Sequence, residues 1–301
     1  MIVRSVLLAS AFALAAVAPA AAKKAKDPFA SLVWYQAVKN APDSEWRRPD
    51  PENLLLMDLP AGQVVIEMSP ELAPKTVAQV KTLVRQGFYD GLKFHRVIEG
   101  AVAQGGDPKG DGQGGSSLPN IPGEFSMDTA AARDFTPIGR DRTAAQLGFL
   151  GGLQVAAQPE SLRAFVADKR VQLWGVHCPG ALSMARTTDP NGANSQFFLV
   201  IGDARQNLDT RYAVWGRIID GYDFTRRINR GEPPKRPTTI MRMRIAADLP
   251  AAQRPNIEVL RTDGAAFKAF IDGAKLRRED GFVRDICDIT PPRRANGEVL
   301  F

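Results

Sequence analysis

The stretch Lys93-Phe94-His95-Arg96-Val97-Ile98-Glu99-Gly100-Ala101-Val102-Ala103-Gln104-Gly105-Gly106-Asp107 reads as a short strand, a glycine turn and a second strand closing on a Gly-Gly-Asp corner. Side chains alternate faces along a strand, so Phe94, Arg96 and Ile98 are expected on one side and His95 on the other. After the turn, Val102 and Gln104 share a side. If that is the side of Arg96, a guanidinium and a primary amide meet beside an apolar floor. An unpaired Arg in such a place is unusual, because large charged groups are normally solvated or ion-paired.

Further segments follow downstream: Pro179-Gly180-Ala181-Leu182-Ser183-Met184-Ala185-Arg186, then Asn194-Ser195-Gln196-Phe197-Phe198-Leu199, then Leu208-Asp209 with Tyr212-Ala213-Val214-Trp215-Gly216-Arg217-Ile218. With Phe94-His95-Arg96 and Gln104-Gly105-Gly106-Asp107, these motifs resemble, in order, the signature of the cyclophilins, the peptidyl-prolyl cis-trans isomerases. The resemblance covers roughly residues 53–246, with one long interruption. The sequence departs from the pattern at three places: Ala101 stands where the family usually has Phe, Val102 where it has Met, and Asn207 where it often has an aromatic residue.

The resemblance implies a mainly β fold: a closed antiparallel cyclophilin-like β-barrel capped by two helices, carrying a long insertion and a small C-terminal α+β extension. Periodicity alone also allows an open α+β sheet. The resemblance further implies isomerisation of X-Pro bonds in proline-containing polypeptides, without a cofactor. Carried over residue by residue, the catalytic pair is Arg96 and Gln104. The substrate-binding set is His95, Ala101, Val102, Gly112, Ala185, Arg186, Gln196, Phe198, Leu208 and Tyr212. Phe198 would be a wall of the proline pocket, Phe197 core, and the backbone of Arg186 would pair with an extended peptide. His95 is read as a hydrogen-bonded structural residue near the site.

The chain has 301 residues, with 39 Lys+Arg against 33 Asp+Glu. That length carries a full core and one to two domains. Residues 1–22 read as an export signal: Arg4, an apolar run from Val6 to Val17, and small-residue cleavage sites around Ala20. The run falls short of the roughly 20 residues a membrane-spanning helix needs, and no other stretch is apolar enough. A soluble, exported, periplasmic protein is expected, with no membrane insertion. Residues 23–52 form an aromatic-containing lead-in expected to dock on the main domain, 53–247. Within that domain, Leu54 to Leu59 and Gln63 to Met68 read as a hairpin, Pro74 opens a helix with Val77, Val80 and Val84 inward, and Gly221 to Gly231 reads as helix and turn. Met241, Met243 and Ile245 alternate with Arg242 and Arg244 in a half-buried last strand. Residues 126–177 are the insertion, either a partner-contact surface or a packed excursion; Pro159 to Arg170 reads as a short amphipathic helix with Leu162, Phe165 and Val166 on one side. Residues 248–301 form the extension, with a strand near Ile257 to Arg261 and a helix near Ala265 to Arg277.

Other chemistries fail on inventory. The basic excess contains no Lys/Arg run interleaved with aromatics, so no nucleic-acid partner is expected. Gly110-Asp111-Gly112-Gln113-Gly114-Gly115 is formally a dinucleotide-type G-x-G-x-x-G, but Pro119 and Pro122 deny it the following helix. Two His and two Cys do not supply a zinc site. Ser183 and Ser195 lack the G-x-S-x-G context of a hydrolase. Cys178 and Cys287 are either bridged in an oxidising compartment or two buried thiols.

Arg96 suits prolyl isomerisation on chemical grounds. Rotation about X-Pro breaks amide resonance against a barrier of about 18–20 kcal/mol. In the twisted state the proline nitrogen gains a lone pair, and a donor aimed there favours that state over either planar one. The rival reading is a binding module or chaperone on the same fold with little turnover. Ala101 and Asn207 favour the rival; Arg96, Gln104, Gln196 and Phe198 favour the enzyme.

Overall fold

The hairpin Leu54–Leu59 and Gly62–Met68 shows how the chain is layered. Leu55, Met57, Val64 and Ile66 point into one core, while Leu54, Leu56 and Val65 point into another. A strand buried on both faces needs a continuous apolar run rather than alternation, and Leu54-Leu55-Leu56-Met57 supplies it. The turn requires glycine: Gly62 has φ +148, and a Cβ there would lie 2.5 Å from the Phe224 ring. The computed structural model to which these elements belong describes residues 29, 31–141, 146–279 and 281–301. The expected signal at 1–22 lies outside them.

The main sheet has eight antiparallel strands, in the order Arg242–Ile245, Leu54–Leu59, Gly62–Met68, Val214–Asp220, Ala181–Met184, Phe197–Val200, Val102–Gly105 and Arg96–Ile98. It curls around a core of Phe94, Val97, Ala103, Phe197, Leu199, Trp215 and Met243, among others. The expected closure is corrected: the end strands share no hydrogen-bonded ladder. Isolated bridges, Lys93 with Thr239 and Val97 with Gly231, span the seam instead. The two expected helices are present but unequal. Pro74–Arg85 is a full helix with Val77, Val80, Leu83 and Val84 buried, and its first N–H groups are held by the Glu124 carboxylate. The second is one turn, Tyr222–Thr225. In the last strand Met243 and Ile245 are buried, but Met241 lies before the strand begins and is 57% exposed.

The insertion is a packed layer. Its five strands run Met127–Asp128, Gln172–Gly175, Leu153–Ala157, Gln146–Leu150 and Phe135–Arg140. Leu153, Val155 and Ala157 face the barrel, where they join Val102, Phe198 and Val214. Leu147, Phe149 and Ala156 face the other way, onto Phe267 and Ile271 of the helix Ala265–Gly273. Period-two alternation thus divides one sheet between two cores. The amphipathic helix expected at 159–170 is absent. A short 3-10 segment, Glu160–Ala164, stands there, leaving Phe165 84% exposed, because nothing packs over it to reward a longer helix.

The lead-in docks chiefly on the C-terminal extension rather than on the barrel. Trp46–Arg47 pairs with Ile257–Leu260, which continues through Arg293–Ala295 to Glu298–Leu300. Trp34, Tyr35, Phe270 and Phe301 stack where the two ends of the chain meet. Barrel, insertion and extension are joined by one buried polar chain. Arg217 donates to Gln154 Oε1 at 2.6 Å and to the Gly152 carbonyl at 3.1 Å, and Gln154 Nε2 donates to the Ile289 carbonyl at 3.0 Å. Burial pulls the Arg217 guanidinium down to about 10, against the pull of the nearby Glu67 carboxylate, so it remains a cation at neutral pH.

Cys178 and Cys287 form a disulfide across 109 positions of sequence, tying the segment before Ala181–Met184 to the extension. Closing so long a loop is worth about 4–5 kcal/mol in the chain-entropy account. Reduction of the bridge is expected to lower the melting temperature by about 10 °C. Thermal melts with and without reductant, and of Cys287→Ser, measure this; coincident melts contradict it.

Candidate active site

The register of three neighbouring strands builds the site. Arg96 pairs directly with Gln104, and Gln104 with Phe198. All three lie on the outer face of the sheet, opposite Val97, Ala103, Phe197 and Leu199, which fill the barrel. One expected placement is corrected: Phe94 is in the barrel core, not on the face of Arg96, because the strand begins only at Arg96 and the alternation breaks before it.

From Arg96 a polar chain crosses the groove. Arg96 Nη1 donates to Gln104 Oε1 at 3.4 Å, Gln104 Nε2 to Gln196 Oε1 at 2.9 Å, and Gln196 Nε2 to the carbonyls of Gly112 and Gly114 at 3.0 and 2.8 Å. Arg96 is not unpaired, contrary to expectation. Its Nε donates to Glu232 Oε2 at 2.8 Å, both side chains being about half exposed. The Gly-rich loop is held from below by Asp107, a residue missing from the expected site. Its oxygens accept from the backbone N–H groups of Lys109, Asp111 and Gly112. Burial pushes this carboxyl up, but the N–H groups around it outweigh that and hold it below the usual carboxylate range. A Cβ at Gly114 would lie 1.8 Å from Asp107 Oδ1, so the cradle needs glycine there. The Gly-Gly-Asp corner running into a glycine loop was the sequence signal for it.

Beside this chain lies the apolar cup: Val102 and Phe198 with the partly open Ala101, Ala185, Leu208 and Tyr212. Tyr212 meets Phe198 edge-on at 5.5 Å, and the Arg186 guanidinium lies 4.8 Å from the Tyr212 ring centre. Arg186 also donates through its side chain to the carbonyls of Arg211 and Thr187, and its own N–H and C=O have no backbone partner among the described residues. The cup is shallow, with Phe198 only 4% exposed and Val102 7%. Of two neighbouring insertion residues, Leu150 shares the apolar layer of Phe198, while Phe149 belongs to the core on the other side of the inserted sheet.

Behind Phe198 stands a buried group that sequence reasoning set aside. The His177 ring stacks on Phe198 at 5.9 Å, its Nδ1 is 2.7 Å from Asp209 Oδ1, and its Nε2 is 3.1 Å from Ser183 Oγ. This is the order of a hydrolase triad, but His177 and Ser183 are fully buried and Ser183 Oγ donates to the Ala213 carbonyl. The group fixes the wall of the cup and offers no nucleophile to a substrate. His95 lies between Phe94 of the barrel core and Arg96 of the groove. It is buried, and neither ring nitrogen has a hydrogen-bond partner by distance and angle among the described residues. Among the described residues no cluster of His, Cys, Asp or Glu could hold a metal ion, and no helix is long and apolar enough to cross a membrane.

A curled antiparallel sheet with an Arg–Gln groove on its outer face defines the class. The model for the family described as "Cyclophilin type peptidyl-prolyl cis-trans isomerase/CLD" matches residues 54–246, and the chain belongs to that family and carries its isomerase activity. A "Probable peptidyl-prolyl cis-trans isomerase" of Brucella suis is 34% identical over 215 residues, covering 66% of this chain and 85% of its own. Peptidyl-prolyl cis-trans isomerase B of Bacillus subtilis is 30% identical over 174 residues, covering 58% and 88%. Among solved structures, cyclophilin AquaCyp293 from Hirschia baltica is 38% identical, with a TM-score of 0.74, over 83% of this chain and 92% of its own. That likeness reaches beyond 54–246.

Two outcomes follow from this geometry. Burial lowers the His95 pKa, partly opposed by Asp107. Just below the ordinary value of about 6.5 the unfolded chain therefore binds a proton that the folded chain refuses, and stability falls as pH falls. Urea melts at pH 7 and pH 5 should show a larger loss for the parent than for His95→Gln; equal losses exclude this source. Ala101→Phe should restore one side of the cup and raise kcat/KM on a short proline peptide several-fold, since partial burial of a ring adds about 1–2 kcal/mol. A fall instead means that another group already occupies the space.

Proposed function

We propose that Arg96 is the catalytic donor, directed at the proline nitrogen as the X-Pro bond twists. Gln104 and Gln196 hold the polar side of the groove, and Val102, Phe198, Leu208 and Tyr212 seat the ring. The free backbone of Arg186 pairs with the extended chain beside Ala185 and the Gly112 loop. The observation that carries this reading is the meeting of Arg96 and Gln104 on an open face immediately beside an apolar cup. Its natural substrates are X-Pro bonds in unfolded or extended segments of exported proteins in the periplasm, which the signal-like residues 1–22 support. The insertion acts first as a packing layer, and its exposed Phe165 is the place for any partner contact.

The energetics are adequate. A 10³-fold acceleration requires about 4 kcal/mol. One charge-assisted hydrogen bond contributes about 1.5–3 kcal/mol, and holding the ring while the preceding residue turns supplies the remainder. The near-burial of Phe198 and Val102 and the small Ala101 favour slow turnover of short peptides. A protease-coupled assay on an Ala-Pro peptide tests the whole reading. Arg96→Ala should lower kcat/KM by about 100-fold with an unchanged melting temperature. A variant that isomerises at the parent rate removes Arg96 from the mechanism.

A further inference from the structure

Arg96–Ile98 has the strand Val102–Gly105 on one side and a single rung on the other. The Val97 N–H donates to the Gly231 carbonyl at 2.8 Å, and the Gly231 N–H donates back to the Val97 carbonyl at 3.0 Å. An antiparallel rung of this kind sets residues 96 and 232 opposite one another with side chains on the same face. There the Glu232 carboxylate accepts from Arg96 Nε at 2.8 Å. On the other flank of the rung Arg230 Nε donates to Glu99 Oε2 at 2.9 Å. Two ion pairs of opposite sense therefore clip residues 230–232 against the hairpin that carries the catalytic Arg.

The segment is rigid by composition. Gly231 has φ +138, and a Cβ there would lie 2.8 Å from the Pro233 carbonyl oxygen. Pro233 follows Glu232 directly and limits its backbone to extended conformations. Arg96 has three nitrogens that donate in fixed directions. Nε is taken by Glu232 and Nη1 by Gln104, while Nη2 makes no hydrogen bond among the described residues. Two attachments define the plane of a guanidinium, and the edge left over is the one available to substrate.

We propose that Glu232 is a positioning residue for isomerisation: it anchors Arg96 through Nε, so that the guanidinium stands ready before the substrate arrives. This rests on the reading of Arg96 as the donor. A long, half-exposed Arg without such an anchor must surrender its rotamer freedom at the moment it donates. The proline lone pair exists only in the twisted state, so the anchor acts on kcat and leaves KM nearly unchanged. An exposed ion pair adds little to stability, so variants at 232 should fold.

The test is a double-mutant cycle in the protease-coupled assay with an Ala-Pro peptide, with melting temperatures alongside. Glu232→Ala should lower kcat at least five-fold, with KM within two-fold and the melting temperature held. Glu232→Gln, which keeps a carbonyl oxygen for Nε, should retain at least half of the parent kcat. In the Arg96→Ala background, Glu232→Ala should change kcat less than two-fold. A smaller loss in the single variant, a Gln variant as slow as the Ala variant, or a loss that persists without Arg96 each overturns the proposal. If the parent itself does not turn over the peptide, or Arg96→Ala costs nothing, the reading of Arg96 fails instead.

Discussion

The register between Arg96–Ile98, Val102–Gly105 and Phe197–Val200 governs the molecule. Side chains repeat every second residue, so a slip of one position would exchange Gln104 with Ala103 and Phe198 with Phe197. It would put an amide into the barrel and leave Phe197 on the groove in place of Phe198. The interior prevents this. Phe197 packs edge-on against Tyr89, Phe94 and Trp215, and the Tyr89 hydroxyl donates to the carbonyl of Ser195, two residues before Phe197. The groove is thus accurate because the core behind it admits one register.

The outer face of the same sheet meets two demands. Near Arg96 it stays open and polar; elsewhere it is apolar and covered, by the inserted sheet over Val214 and Val200 and by the C-terminal strands over Leu54, Leu56 and Val65. These covers explain why strands that would face water in a smaller relative read as unbroken apolar runs here. They also explain a buried Arg217. A cation is expensive in such a place unless its donors are satisfied, and here carbonyl oxygens of the insertion surround it.

The groove was legible because it is written in short motifs whose members sit on adjacent strands. Arg96, Gln104, Gln196 and Phe198 are recognisable one by one, and the structure brings them together. Glu232 was not legible. It reaches Arg96 from 136 positions away through one isolated rung, and no local pattern announces a cross-seam pairing. The His177 contacts were not legible for a related reason: its partners Ser183 and Asp209 lie on separate elements. The helix expected at 159–170 failed differently. Its apolar spacing was helical, but spacing has no effect without a surface to pack on, and Phe165 finds none. Phe94 shows the limit of alternation itself, which holds only where a strand is regular.

The small sheet that unites the two ends of the chain constrains the order of events during biogenesis. Trp46–Arg47 has its partner in Ile257–Leu260, more than two hundred residues later, and that strand needs Arg293–Ala295 in turn. A ribosome or a translocation pore delivers the chain from its N-terminus, so the first strand has no mate until almost everything else has emerged. The barrel hairpin at 54–68 pairs locally and has no such wait. The enzyme's own lead-in strand therefore remains unpaired through most of its delivery, while the strands of the groove, all before residue 221, are already available to one another.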